Sequence, residues 1–225
     1  MLGNLLFALQ LFCLIPLLQM YKVFFNQKPL ILTNKIQDFS DSEPLLFIKY
    51  TSVSQIIKAL KSSKNSKVFL YHKDINKLWK AFKKKFPVIE AAGGLVERSD
   101  NKLLFIFRNN KWDLPKGGVE KKELIIDAAK REVIEETGVA DIIVHNQLSE
   151  TYHIFKKGKR FRLKKTYWYK MSTTFMGKTN PQTEEGIERT EWVPKDKIQD
   201  ILNDAFENIR MIVLEVLKSN TLRNK

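Results

Sequence analysis

The sequence predicts an α/β protein in two parts, a small basic unit followed by a larger layered domain. Three observations carry that expectation. From residue 21 onward, runs rich in β-branched and aromatic residues alternate with stretches of helical periodicity. Of the 225 residues, 44% are hydrophobic and 28% charged, ample for a buried core and incompatible with a disordered chain. The composition then changes at residues 89–97, where lysine-rich sequence gives way to IEAAGGLVE, and this marks a boundary. The single cysteine, Cys13, excludes a disulfide framework and a cysteine-based zinc module.

Residues 1–19 form an uncharged apolar segment for which three readings stand: sequence ahead of a working start at Met20, a membrane-proximal anchor, or a signal segment. No Lys or Arg precedes the run, and Gln10, Pro16 and Gln19 interrupt it, so a cytoplasmic protein is the expectation. Residues 20–87 then read as the basic unit. YKVFF, LILTN, LLFIKY and KVFLYH are strand-like, while SVSQIIKALK and DINKLWKAFKKKF are helical, the second capped by Asp74. Its apolar stripe is Ile75, Leu78, Trp79, Phe82 and Phe86. Pro87 ends the helix.

Residues 88–219 form the larger domain, and 220–225 a tail. VIEAAGGLVER and KLLFIFR are joined by a polar turn at Ser99, Asp100 and Asn101 and read as a hairpin. A helix is expected from about Leu124 to Thr137, with Gly138 as a left-handed cap. ETYHIF and FRLKKTYWYKM follow as strands joined near Lys157, Gly158 and Lys159. A last strand covers Glu191 to Val193, and one amphipathic helix from residue 196 to 219 presents Ile201, Ala205, Ile209, Ile212 and Val216 to the sheet.

A net charge of +14 predicts polyanionic partners: nucleic acid, anionic lipid or a phosphate-rich small molecule. Two segments supply much of it. Lys58 to Lys85 holds ten lysines against one acid, Asp74, and residues 156–170 hold eight cations and no acid. A solvated face explains such runs in most proteins, while phosphate docking is the sharper reading. His72, His145 and His153 have no metal-ligand spacing.

The chemistry is concentrated in GGVEKKELIIDAAKREVIEETGV. In a helix, Glu132, Glu135 and Glu136 stand at i, i+3 and i+4 and project from one face, a repulsive cluster unless a cation sits among them. Carboxylates without His or Cys suit Mg²⁺ or Mn²⁺ rather than zinc. Ile125, Ile126, Ala129 and Val133 are expected to face the core, which would turn the acidic face outward.

Gly117, Glu123, Arg131, Glu132, Val133, Glu135, Glu136, Gly138 and Val139 fit G-x5-E-x7-R-E-U-x-E-E-x-G-U without departure, U being a bulky aliphatic residue. The stretch resembles the Nudix box. That resemblance covers about residues 87–219 and implies a Nudix-type α/β/α sandwich with a mixed sheet, preceded by the small α/β N-terminal unit. It implies Glu132, Glu135 and Glu136 as metal ligands, with the carbonyl of Lys116 beside them and the Lys116 side chain within reach of a phosphate. Arg131 would orient the catalytic carboxylates, and Glu123 would hold loop to helix. Glu136 or a loop glutamate, Glu185 or Glu184, would help to deprotonate water. Lys157, Lys159 and Arg160 are expected to hold distal phosphates, and Tyr152 to meet a base.

The implied activity is Mg²⁺-dependent pyrophosphohydrolysis of a nucleoside or dinucleoside polyphosphate, Mn²⁺ serving as well. The alternatives are an RNA 5′ end or a diphosphoinositol polyphosphate. ADP-ribose is disfavoured, because no proline occurs between Pro115 and Pro181. A reading of another class is a non-catalytic module that binds nucleotide or RNA; the intact box glutamates speak against it.

Overall fold

The computed structural model describes residues 21–36 and 39–223, so the three readings of residues 1–19 fall outside the described residues. The N-terminal unit contains strands β1 (Tyr21–Phe25), β2 (Lys28–Thr33), β3 (Leu45–Phe47) and β4 (Val68–Tyr71), with helices α1 (Val53–Lys61) and α2 (Ile75–Lys85). Ser52 and Gln55 form a capping box at α1, and Asp74 accepts from the amides of Asn76 and Lys77 at α2. The rest comprises β5 (Val88–Arg98), β6 (Leu103–Arg108), β7 (Lys111–Asp113), β8 (Lys116–Gly118), α3 (Ile125–Thr137), β9 (Ile143–Gln147), β10 (Thr151–Lys157), β11 (Arg160–Thr173), β12 (Ile187–Val193), α4 (Ile198–Asn203) and α5 (Glu207–Arg223).

The strands form one mixed sheet in the order β12-β6-β5-β11-β10-β1-β2-β4-β3, with β7, β8 and β9 on branches from β6, β5 and β11. Its centre is the long parallel pairing of β11 with β5, from Leu163↔Val88 to Thr173↔Arg98. The N-terminal strands continue this sheet, because β1 pairs in parallel with β10 at Val23↔Tyr152 and Phe25↔Ile154. The two parts also share a core: Ile154 and Leu163 pack with Val23, Ile56, Leu78, Phe82 and Phe86.

Alternation along β11 assigns its two faces. Trp168 faces α4 and α5, packing with Leu95, Trp112, Leu202, Ile209 and Val213, while Met171 faces α3 with Ala92, Val96, Ala129 and Val133. Helices therefore cover both faces of the mixed sheet, giving the α/β/α sandwich.

Three local expectations change. The C-terminal helix is broken between Asn203 and Glu207, where Ala205 bridges to Trp112 and the Trp112 amide donates to the Asp204 carbonyl at 3.2 Å. It then continues through Arg223, into residues expected as tail. On α3, Ile126 is exposed while Ala128 is buried, so the core stripe is rotated from the expected one.

Candidate active site

Short strand β8 lies across β5, with Gly117 opposite Ala92, and runs against α3. A Cβ added at Gly117 would stand 1.9 Å from Oε2 of Glu132, so only glycine lets that carboxylate lie against the backbone here. Glu132 and Glu136, one turn apart, are buried; Glu135 is exposed. The acidic face is therefore not turned outward as a whole. Its sheet-side members are covered by β8.

Each carboxylate has a distinct partner. Arg131 donates to Glu132 at 2.7 Å, to Glu135 at 2.9 Å, to Glu123 at 2.7 and 2.9 Å, and to the Gly118 carbonyl at 2.9 Å. One guanidinium thus ties the loop to the helix and fixes the directions of two box glutamates. Glu123 also accepts from the Glu120 amide at 2.9 Å, and its bonds from Arg131 and that amide bring its carboxyl down to about 2. Burial raises Glu132 above the usual carboxylate range, with Arg131 opposing and the charges of Glu135 and Glu185 adding to the rise.

Glu136 reaches away from Arg131. Its Oε2 accepts from the Lys116 amide at 2.8 Å, while the buried Oε1 has no hydrogen-bond partner among the described residues. The nearest recorded cation is the Arg108 guanidinium, 3.6 Å from Oε1. Burial pushes the Glu136 carboxyl up to about 7, against the pull of Lys116 and Arg108.

Arg108, at the end of β6, also pairs with buried Asp113 at 2.9 Å across the β6–β7 hairpin. The Lys116 ammonium bonds Asp113 too and donates to the Leu114 carbonyl at 3.3 Å. Burial pushes Asp113 up, but Lys116 and Arg108 hold its carboxyl below the ordinary value. Burial and Arg108 bring Lys116 down to about 8.

These groups border a cavity of about 180 Å³, which His153, Phe155 and Lys164 also line. Burial and then the Arg108 charge lower the Lys164 ammonium. Burial, with Lys164 and Lys116 beside it, brings His153 down to about 4. The pocket is thus a cation-rich recess beside Glu136, with Arg108 and Lys116 reaching toward both. Such a recess accommodates anionic oxygens and places a buried carboxylate next to them.

The structure brings together Lys116, Arg131, Glu132, Glu135 and Glu136. Glu185 sits in a 3-10 turn, Thr183–Glu185, close enough for its charge to act on Arg108, Glu132 and Lys164. Tyr152 is not brought in. Adjacent to His153 on β10, it points to the opposite face, where it packs on Tyr21 and Trp79 and donates to Glu150 at 2.7 Å. Lys157, Lys159 and Arg160 stand at the exposed end of the β10–β11 hairpin, and Lys159 and Arg160 border a separate cavity. Sequence reasoning missed Arg108, Asp113 and His153 as pocket residues, and it singled out Lys164 only as one of the eight cations of residues 156–170. For the last two a signal existed: His153 and Lys164 are cross-strand partners on the same face as Trp168.

The donor set suits a hard divalent cation. It is all oxygen, Glu136 Oε1 is buried without a partner, and the Gly117 cradle admits no side chain between backbone and Glu132. Among the described residues no three His, Cys, Asp or Glu side chains converge on one point, and Arg131 bonds both Glu132 and Glu135. No helix among the described residues is long and apolar enough to cross a membrane.

Residues 88–213 match the family model described as the NUDIX domain, more than half of the chain. An RNA pyrophosphohydrolase from Pelagibacter ubique is 26% identical, the match covering 58% of this chain and 94% of that protein. One from Bartonella henselae is 39% identical over a shorter stretch, 20% of this chain and 25% of its own length. Among solved structures, a C. elegans Ap4A hydrolase binary complex aligns with a TM-score of 0.45 at 19% identity, covering 61% of this chain and 99% of that one. The MUTT protein from Methanosarcina mazei aligns at 0.44 and 20%, covering 63% and 98%. With its complete box and the family match over residues 88–213, the chain belongs to the Nudix family and is a hydrolase that acts on phosphoanhydride bonds.

Proposed function

We propose that the protein is a Mg²⁺-dependent pyrophosphohydrolase that cleaves a phosphoanhydride bond in a polyphosphate carrying a nucleoside, Mn²⁺ being the other cation that suits the site. The observation that carries this reading is the buried Glu136 between the box helix and a recess bordered by Arg108, Lys116 and Lys164. Glu132, Glu135 and Glu136 would hold the metal together with the Lys116 carbonyl, sharing with it the oxygens that Arg131 now bonds. When bound, the cation neutralises polyphosphate charge and lowers the pKa of an attacking water.

The chain's own residues supply the rest. Arg108, Lys116 and Lys164 hold phosphate oxygens in the recess, and Arg131 orients the carboxylates without touching substrate. Glu136 takes the proton from water, being buried beside the recess; Glu185 is the second base candidate, standing on the loop facing the same charges. Lys157, Lys159 and Arg160 meet phosphates beyond the scissile linkage. Nucleoside and dinucleoside polyphosphates are the leading substrates. An RNA 5′ end is the second reading, favoured by the similarity to RNA pyrophosphohydrolases along nearly the whole of one relative.

Phosphate release over nucleotides, dinucleoside polyphosphates, inositol pyrophosphates and triphosphorylated RNA with Mg²⁺ tests the proposal. Glu135→Gln and Glu136→Gln should each lower kcat by at least ~10²-fold with the fold retained. Absence of turnover on every substrate, or parental kcat in both variants, overturns it in favour of a nucleotide- or RNA-binding module.

A further inference from the structure

The basic face of the β10–β11 hairpin has a direction. On β11, Arg160, Arg162 and Lys164 alternate onto one side, and their cross-strand partners are Lys157, Phe155 and His153. Lys164, His153 and Phe155 line the recess beside Glu136. Arg160 and Arg162 line a second cavity, of about 360 Å³, together with Lys159 and with Lys84 and Lys85 of α2. Phe161, whose side chain belongs to the opposite face, and Pro87 line it as well. The second cavity therefore opens at the edge of β11 ahead of the first β5 pairing at Leu163↔Val88, and the run from Lys164 to Arg160 leads to it over four residues or ~13 Å at ~3.3 Å per residue.

Solvation alone does not account for this arrangement. None of Lys84, Lys85, Lys159, Arg160 and Arg162 forms an ion pair with a described carboxylate, and no acid borders the cavity. The pull of the α2 dipole explains lysines at its C-terminal end, but not arginines at the start of a strand. The line also crosses from the Nudix domain to a helix outside the family match.

We infer that this line of cations is a binding track for a single-stranded RNA chain whose 5′ phosphates occupy the recess, with Arg162 and Arg160 on the following phosphates and Lys84 and Lys85 beyond. Cations on alternate residues of a strand stand ~6.6 Å apart, a spacing suited to successive phosphates of an extended chain. Phe155 stands opposite Arg162 on this face and lines the recess, and the Lys164 ammonium lies 5.3 Å from its ring centroid. A lipid surface does not fit, because the line ends in a recess that a bilayer cannot enter. The inference rests on the RNA reading of the active site and adds to it a site for the body of the chain.

The test separates docking from hydrolysis. A labelled 12-nucleotide RNA with a 5′-hydroxyl has no anhydride to cleave, and its binding is read by fluorescence anisotropy on the full chain. Lys84→Gln/Lys85→Gln should weaken that binding about fivefold or more at moderate salt, as the loss of two exposed charge contacts allows. The slope of log Kd against log salt should drop by about 1.4, at ~0.7 per single-strand phosphate contact. Hydrolysis of a nucleoside triphosphate, too short to span the ~13 Å from the recess to α2, should stay at the parental rate in the same variant. Unchanged RNA affinity and salt slope overturn the track. So does equal affinity for phosphatidylserine vesicles, which would make the face a membrane-docking surface. Absence of all hydrolysis by the parent with RNA binding intact would overturn the catalytic reading and leave the track standing.

Discussion

His153 offers a measurable consequence of the recess. It lies beside Lys164 and Lys116, and its buried Nε2 has no hydrogen-bond partner among the described residues. Burial and those two cations lower its pKa from 6.5 to about 4. A difference of about 2.5 units, at about 1.4 kcal/mol each, amounts to about 3 kcal/mol. The unfolded chain takes up its proton near pH 6.5 and the native chain only near pH 4, so between these values the unfolded state holds more protons. Stability should therefore be complete above pH 6.5, fall as the pH drops, and have lost this whole contribution below pH 4. Gln at position 153 does not titrate. The stability difference between the chain and His153→Gln, from urea unfolding at a series of pH values, isolates the term because other titrations cancel. That difference should change by about 3 kcal/mol between pH 7.5 and pH 4, the acid end disfavouring the parent. A difference that stays constant, or moves the other way, would refute the buried, cation-flanked environment assigned to this histidine.

Inorganic pyrophosphate brings negative charge to the same recess, so it should raise the His153 pKa and flatten that acid slope in the same urea series. Gly117→Ala forces Glu132 out of its cradle, and kcat should fall ~10²-fold, as displacement of a positioned group by about an ångström allows, while the far-ultraviolet circular dichroism is retained. Thr151→Val leaves the buried Trp168 indole N–H without its 2.9 Å acceptor and should cost about 1–3 kcal/mol by chemical denaturation. Phe82→Ala should cost about 3–5 kcal/mol. Because Phe82 packs with Ile154 and Leu163, the loss should appear as one cooperative transition spanning both parts of the chain; two separate transitions would mark independent folding units.

What was readable from the sequence follows from the range of each signal. Most strands, α2 and α3 are set by local periodicity and punctuation, and Gly138 does adopt φ 68° as the α3 cap. The box glutamates were legible because helical spacing brings them to one face. Their burial was not, since it depends on β8 crossing from a loop that has no periodicity of its own. Arg108 carried no spacing pattern, and its partners Asp113 and Glu136 meet it only after the β6–β7 hairpin closes and α3 docks. Tyr152 illustrates the sharpness of strand alternation: one residue decides between the recess and the opposite core, and the composition of ETYHIF does not say which. The break before α5 is tertiary, set by Trp112 at Ala205 rather than by a Pro or Gly.

The pairing of β1 with β10 bears on how the protein stays dispersed. Within residues 88–213, β10 has β11 on one side only, and its other row of N–H and C=O groups is occupied by β1. A fragment cut to those residues would present that row unpaired, beside the apolar side chains of Ile154 and Leu163 that α2 now covers. Open edges of this kind recruit strands from other molecules. The N-terminal strands thus act as a built-in edge guard for the family domain.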